Sequence, residues 1–136
     1  MQDFRRIVVW QKSHAMALDV YAVTTRFPEH ERWVLTSQMR RAAVSTAANI
    51  VEGRFRGGDR EFARSLRVAL GSAGELEYYV LLASDLSFLQ EADRLRLVDA
   101  VVEVKRMLTA LIQKLKTERI RHKATVPSQV GPVRNS

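Results

Sequence analysis

The chain has 136 residues, 46% of them hydrophobic, which is enough to fill one sizeable core and argues against global disorder. It has no cysteine, which excludes disulfide frameworks, thiol nucleophiles and Cys-type zinc sites together. The net charge is +7 with a pI near 10.4, and 17 of the 22 basic residues are Arg, so an anionic partner is favoured and forked phosphate contacts suit it.

Asp3, Arg5 and Arg6 precede a four-residue apolar run that is too short for a signal peptide. No uncharged stretch exceeds ten residues, the length of residues 42–51, far below the ~20 residues that span a bilayer. A soluble, cytoplasmic protein with no membrane partner is the expectation. The first helix is expected over 10–26, with His14, Leu18, Tyr21 and Thr25 forming its stripe, and Pro28 follows. A second, over 34–54, carries Leu35, Met39, Ala42, Thr46 and Ile50. Gly57 and Gly58 interrupt the chain, and Asp59 stands where an N-cap belongs. A third helix, over 59–84, carries Phe62, Leu66, Ala69, Ala73, Leu76, Val80 and Ala83. The fourth, over 91–119, opens with Glu91 and Asp93 and closes with Lys114, Lys116 and Arg119, as the helix dipole favours. Its stripe is Leu97, Val101, Val104, Leu108, Leu111 and Leu115. Short connections make neighbours antiparallel, so the fold class is all-α, an up-down-up-down four-helix bundle over 1–120. Residues 121–136 lose periodicity and gain Pro, Gly, Ser and Asn, and read as a disordered basic tail.

Val44, Ala48 and Val51 widen the second stripe, and Val98 and Val102 widen the fourth. Either these stripes are broad core-facing surfaces or they are buried again in an oligomer contact; the pattern leaves both open. Ser45 and Asn49 read as a hydrogen-bonded pair that sets helix register. Gly71 and Gly74 each cost the third helix about 1 kcal/mol relative to Ala, which suggests close approach by another helix. Glu75 or Glu77, if turned inward, pairs with a bundle arginine such as Arg41.

Charge runs in blocks: +1 over residues 1–25, +4 over 26–67, −5 over 68–103 and +7 over 104–136. Bundle topology turns this order into two poles. One collects Arg5, Arg6, Arg54, Arg56, Arg60, Arg64, Lys114, Lys116, Arg119, Arg121 and Lys123. The other collects Glu29, Glu31, Asp85, Glu91 and Asp93, interspersed with Arg26, Arg32, Arg94 and Arg96. The bland reading of such runs is a solvated face; clustering from separate segments favours a nucleic-acid contact.

Few motifs here carry catalytic chemistry. The glycines of residues 53–60 have the spacing of a phosphate-binding loop, but Asp59 and Arg60 stand where Lys and Ser/Thr are required, and a helix precedes them. His14, His30 and His122 lie on separate segments with no Glu-x-x-His pair, so a di-iron bundle site is not expected. No enzyme activity, cofactor or metal is expected.

Several segments, taken in order, resemble the bacterial four-helix-bundle proteins encoded in 23S rRNA intervening sequences. They are Trp10-Gln11-Lys12, Val20-Tyr21, Phe27-Pro28-x-x-Glu31, Leu35-Thr36-x-Gln38-x-Arg40-Arg41-Ala42, Ser45, Asn49-Ile50-x-Glu52-Gly53, Glu61-Phe62, Ala69-x-Gly71-Ser72 and Glu75-Leu76. The departures are small, at Thr46-Ala47-Ala48 and Val51. The resemblance implies a ring-like homopentamer with a central channel and no settled biochemical function. The fold also resembles the basic accessory protein of diversity-generating retroelements, which binds a reverse transcriptase and nucleic acid. The expected function is therefore a non-enzymatic, oligomeric nucleic-acid-binding accessory protein, tolerant of sequence and acting through the basic pole. The alternative is a scaffold for an acidic protein partner, such as a nucleic-acid enzyme. Candidate contacts are Arg54, Arg56, Arg60, Arg64, Lys114, Lys116, Arg119, Arg121 and Lys123; Gln38, Arg41, Ser45, Asn49, Gly71, Gly74 and Glu75 are expected to be structural.

Overall fold

The computed structural model describes residues 3–125, with side chains as far as Arg121. Four helices pack in chain order: α1 (Val8–Thr24), α2 (Ser37–Arg56), α3 (Asp59–Asp85) and α4 (Glu91–Thr125). Each packs on the next, and α1 closes the bundle against α4. No strand occurs among the described residues.

Local chemistry sets each boundary. Asp3 caps a 3₁₀ turn at Phe4–Arg6 by accepting from the Arg5 amide at 3.0 Å, and the Gln11 side chain donates to the Arg5 carbonyl at 2.8 Å. After Pro28 and a second 3₁₀ turn, residues Arg32–Thr36 form a π-helical turn, and the Glu31 carboxylate accepts from the Leu35 amide at 3.3 Å. That widened turn replaces the expected start of α2 at 34, because the Glu31 side chain takes an amide at the helix entrance. Gly57 and Gly58 both have positive φ, +80° and +83°, which reverses the chain in two residues. Gly58 is therefore the N-cap, and Asp59 is the first helical residue instead of the cap; it makes no capping bond. α3 ends in a Schellman arrangement. The Phe88 amide donates to the Ala83 carbonyl and the Ser87 amide to the Ser84 carbonyl, both at 2.9 Å, with Ser87 left-handed at φ 64°. Phe88 then packs against Phe27, ring centres 5.6 Å apart.

The core follows the expected stripes of α2, α3 and α4: Met39, Ile50, Leu66, Leu76, Val80, Leu97, Val101 and Leu108 are fully buried. On α1 the stripe is a different one. Val9, Met16, Val20 and Val23 face inward, whereas His14, Leu18, Tyr21 and Thr25 face out. α1 is apolar on two faces, so periodicity alone does not choose between them; packing against α2 and α4 does.

α4 continues six residues past its expected end at 119. No breaker intervenes before Pro127, and the cations of its last turns suit the negative end of the helix dipole. Residues 121–125 of the expected tail thus belong to α4, and 126–136 lie outside the described residues.

The close approach between helices occurs at Gly53. A Cβ there would meet Ser65 Cβ at 2.5 Å and Phe62 Cδ1 at 3.2 Å. Gly71 and Gly74 have nothing within 4 Å of such a Cβ, so the helix approach expected of them does not occur within the chain.

Candidate functional site

The two ends of the bundle treat their cations differently. At the end formed by the α1–α2 and α3–α4 connections, Asp93 is 8% exposed and accepts from Arg26 at 2.7 Å and from Arg96 at 2.9 Å. Arg96 also reaches Asp19 at 2.8 Å, tying α1 to α4. Burial raises the Asp93 pKa, and the Arg96 and Arg26 hydrogen bonds outweigh it, so the carboxyl is held below its ordinary value. Arg94 pairs with Glu91 and Arg32 with Glu29. These cations are neutralised.

At the opposite end they mostly are not. Arg60, Arg67, Lys116, Arg119 and Arg121 are exposed and have no ion pair among the described residues. Arg64 reaches Glu61 at a loose 3.9 Å and Arg56 reaches Glu52 at 3.5 Å. Arg5 pairs with Asp3 at 3.4 Å. The half-buried Arg54 lies over the Phe62 ring, 5.7 Å from its centre. Arg60, Arg64, Lys116 and Arg119 come together in one cleft between α3 and α4, joined by Arg67 and Asp59. Lys114 does not join them. It stands two residues from Lys116, about 200° around the helix, and so on the other flank of Leu115. The Lys123 side chain lies outside the described residues. Arg67 was absent from the sequence-derived contacts, yet its signal was present: it follows Arg60 and Arg64 at steps of four and three, one helix face.

A polar ladder runs along the α2–α3 seam. Arg41 donates to Glu75 at 2.8 Å and, through Nε, to Gln38 at 3.1 Å. The Tyr79 hydroxyl donates to Glu75 at 2.9 Å; burial first, then that bond to a carboxylate, raises its pKa. Further along, the Asn49 amide donates to the Ser45 carbonyl at 2.8 Å and to its hydroxyl at 3.1 Å, and the Ser45 and Ser72 hydroxyls share a 2.9 Å bond between the helices. Glu77 pairs with Lys105 instead of an arginine.

Two apolar grooves remain open on opposite flanks. Between α1 and α2, Trp10, Leu18, Tyr21, Val44 and Val51 line one, with His14 stacked flat on Trp10 at 5.0 Å. Between α3 and α4, Tyr78, Leu81 and Val98 line the other, beside Gly74. The widened stripes therefore stay unfilled within one chain.

No curated protein matches the chain. A solved structure described as a protein of unknown function from the S23 ribosomal protein family of Bacteroides thetaiotaomicron VPI-5482 is 24% identical to it, with a TM-score of 0.69 over 76% of this chain and 97% of that one. At that identity the likeness is one of fold, and it supports the all-α bundle. The family of 23S rRNA-intervening sequence proteins matches residues 5–110, which take in α1, α2, α3 and most of α4 and stop short of Lys116 and Arg119. On that match, carried by four helices in the expected order, the chain belongs to the 23S rRNA-intervening sequence protein family.

Proposed function

We propose that the protein is a non-enzymatic nucleic-acid-binding factor that works as a ring of copies through its basic pole. One observation carries the reading: at one pole Arg26, Arg32, Arg94 and Arg96 are paired with carboxylates, while at the other Arg60, Arg67, Lys116 and Arg119 have no ion pair among the described residues. Unneutralised arginines on a rigid end can replace condensed counterions along a phosphate backbone. The exposed grooves support assembly. Two unlike apolar faces on opposite flanks suit a head-to-tail contact, which closes into a ring; the family resemblance implies five copies. A ring multiplies weak phosphate contacts by avidity. The fold resemblance to a retroelement accessory protein adds to this by analogy alone.

Binding is expected to tolerate sequence and weaken steeply with salt. A titration of labelled RNA and duplex DNA at two salt concentrations tests it, and absence of binding at low salt overturns it. A second reading rests on Trp33, 79% exposed beside Val34 at the acidic pole. Exposed aromatic surface of this kind suits a protein partner, which makes the molecule a scaffold. Capture of one protein partner that survives nuclease treatment, and is lost in Trp33→Ala, favours that reading.

A further inference from the structure

The cleft between the start of α3 and the end of α4 has a volume of about 180 Å³. Arg60, Arg64 and Arg67 form one wall, Lys116 and Arg119 the other, and Ala63 and Leu115, both buried, are the apolar lining between them. Asp59 also lines it, so five cations face one carboxylate. The arginines of α3 follow one another at steps of four and three, and the row extends about 10 Å along the helix at ~1.5 Å per residue. Consecutive phosphates of one strand are spaced more widely than the ~3.4 Å axial rise per nucleotide, so a row of this length matches two or three of them. Two facing rows differ from a convex charged surface in one respect: a phosphate seated between them takes donors from both sides, and guanidinium forks can grip it bidentately. No aromatic side chain lines the cleft, so it offers bases nothing to stack on.

We propose that this cleft seats two or three consecutive phosphodiester groups of one nucleic-acid strand and reads neither base nor sequence. The proposal rests on the reading of the basic pole as a nucleic-acid interface and narrows it to α3 and α4. The arginines at the end of α2 are then bystanders: Arg56 already pairs with Glu52, and Arg54 lies over Phe62.

The test compares two variants of the full chain by fluorescence anisotropy with labelled 12-nucleotide RNA and DNA of two base compositions. Arg64→Ala/Arg67→Ala/Lys116→Ala is expected to weaken binding at least tenfold, equally for all probes, and to flatten the salt dependence by about 2 units, at ~0.7 per single-strand phosphate contact. Arg54→Ala/Arg56→Ala is expected to change affinity less than threefold. All three cleft substitutions are at exposed positions, and helicity and oligomer size check that the fold survives; the single variant Arg67→Gln, expected to lose about threefold, serves if the triple variant misfolds. Should the cleft variants bind like the parent while the α2 variant loses binding, the cleft is overturned and the basic-pole reading stands. If the parent binds no nucleic acid, that wider reading fails. Protection of the parent by tripolyphosphate in thermal unfolding, lost in the cleft variant, then retains the cleft as a site for closely spaced phosphates, and absence of protection overturns it too.

Discussion

Three glycines and one serine show how single residues carry this bundle. Gly53 lets α2 and α3 meet, and an added methyl overlaps the Ser65 Cβ, which is anchored to the backbone and cannot swing away. Gly53→Ala returns about 1 kcal/mol of helix propensity and costs ~1–3 kcal/mol in overpacking, so a net loss of up to about 2 kcal/mol is expected. Gly71→Ala and Gly74→Ala meet no such wall and are expected to stabilise an isolated subunit by about 0.5–1 kcal/mol in urea denaturation. If either weakens subunit association at the same time, the second surface of α3 is in use. Ser87 holds a left-handed conformation that suits glycine. Ser87→Gly removes a penalty of about 1–2 kcal/mol and adds about 0.5–1 kcal/mol of chain entropy, leaving an expected gain near 0.5–1 kcal/mol by thermal unfolding.

At the scale of elements, the joint between α1 and α4 is electrostatic at one end. Asp93 is packed among Arg26 and Arg96, and Arg96 carries the connection on to Asp19. The folded-state pKa of Asp93 lies below its ordinary value, so the unfolded chain binds its proton first. Its contribution is complete above the unfolded value of ~3.9 and is lost as the pH falls through the lower folded value. Asp93→Asn is therefore expected to lower stability at pH 7 and to lessen the loss of stability that the parent shows below about pH 4. Urea denaturation at pH 7, 4 and 3 checks both. A parent-like acid limb in the variant would place the acid sensitivity elsewhere.

For the whole molecule, the unlike grooves on opposite flanks make a specific demand on assembly. Leu18 and Leu81, 59% and 56% exposed, stand on the two faces. Leu18→Arg and Leu81→Arg are each expected to reduce the proposed ring to monomers with helicity intact, measured by sedimentation velocity. A mixture of the two retains one sound pair of faces and is expected to stop at dimers, because a head-to-tail contact needs one face from each copy. A self-complementary contact would leave the mixture unchanged from its parts.

Much of this was legible in the chain itself. On α2, α3 and α4 the longest apolar stripe at 3.6-residue spacing is the one that turns inward, with further apolar residues on its flanks, and the paired glycines and scarce prolines marked the connections. α1 offers two apolar faces of similar strength, and contact with its neighbours alone decided that Met16 and Val20 turn inward while Leu18 and Tyr21 turn out. Charge shows the same division. The sequence by itself determined that cations gather at one end, because topology maps chain order onto poles. It did not determine which of them are neutralised. That depends on distances of a few ångströms between segments remote in sequence, such as Arg26 to Asp93 at 2.7 Å, and on which faces of α3 and α4 meet, as those that carry Arg64 and Lys116 do. Only the tertiary structure supplies those, since ion pairing and cleft formation fall off over lengths shorter than a helix diameter.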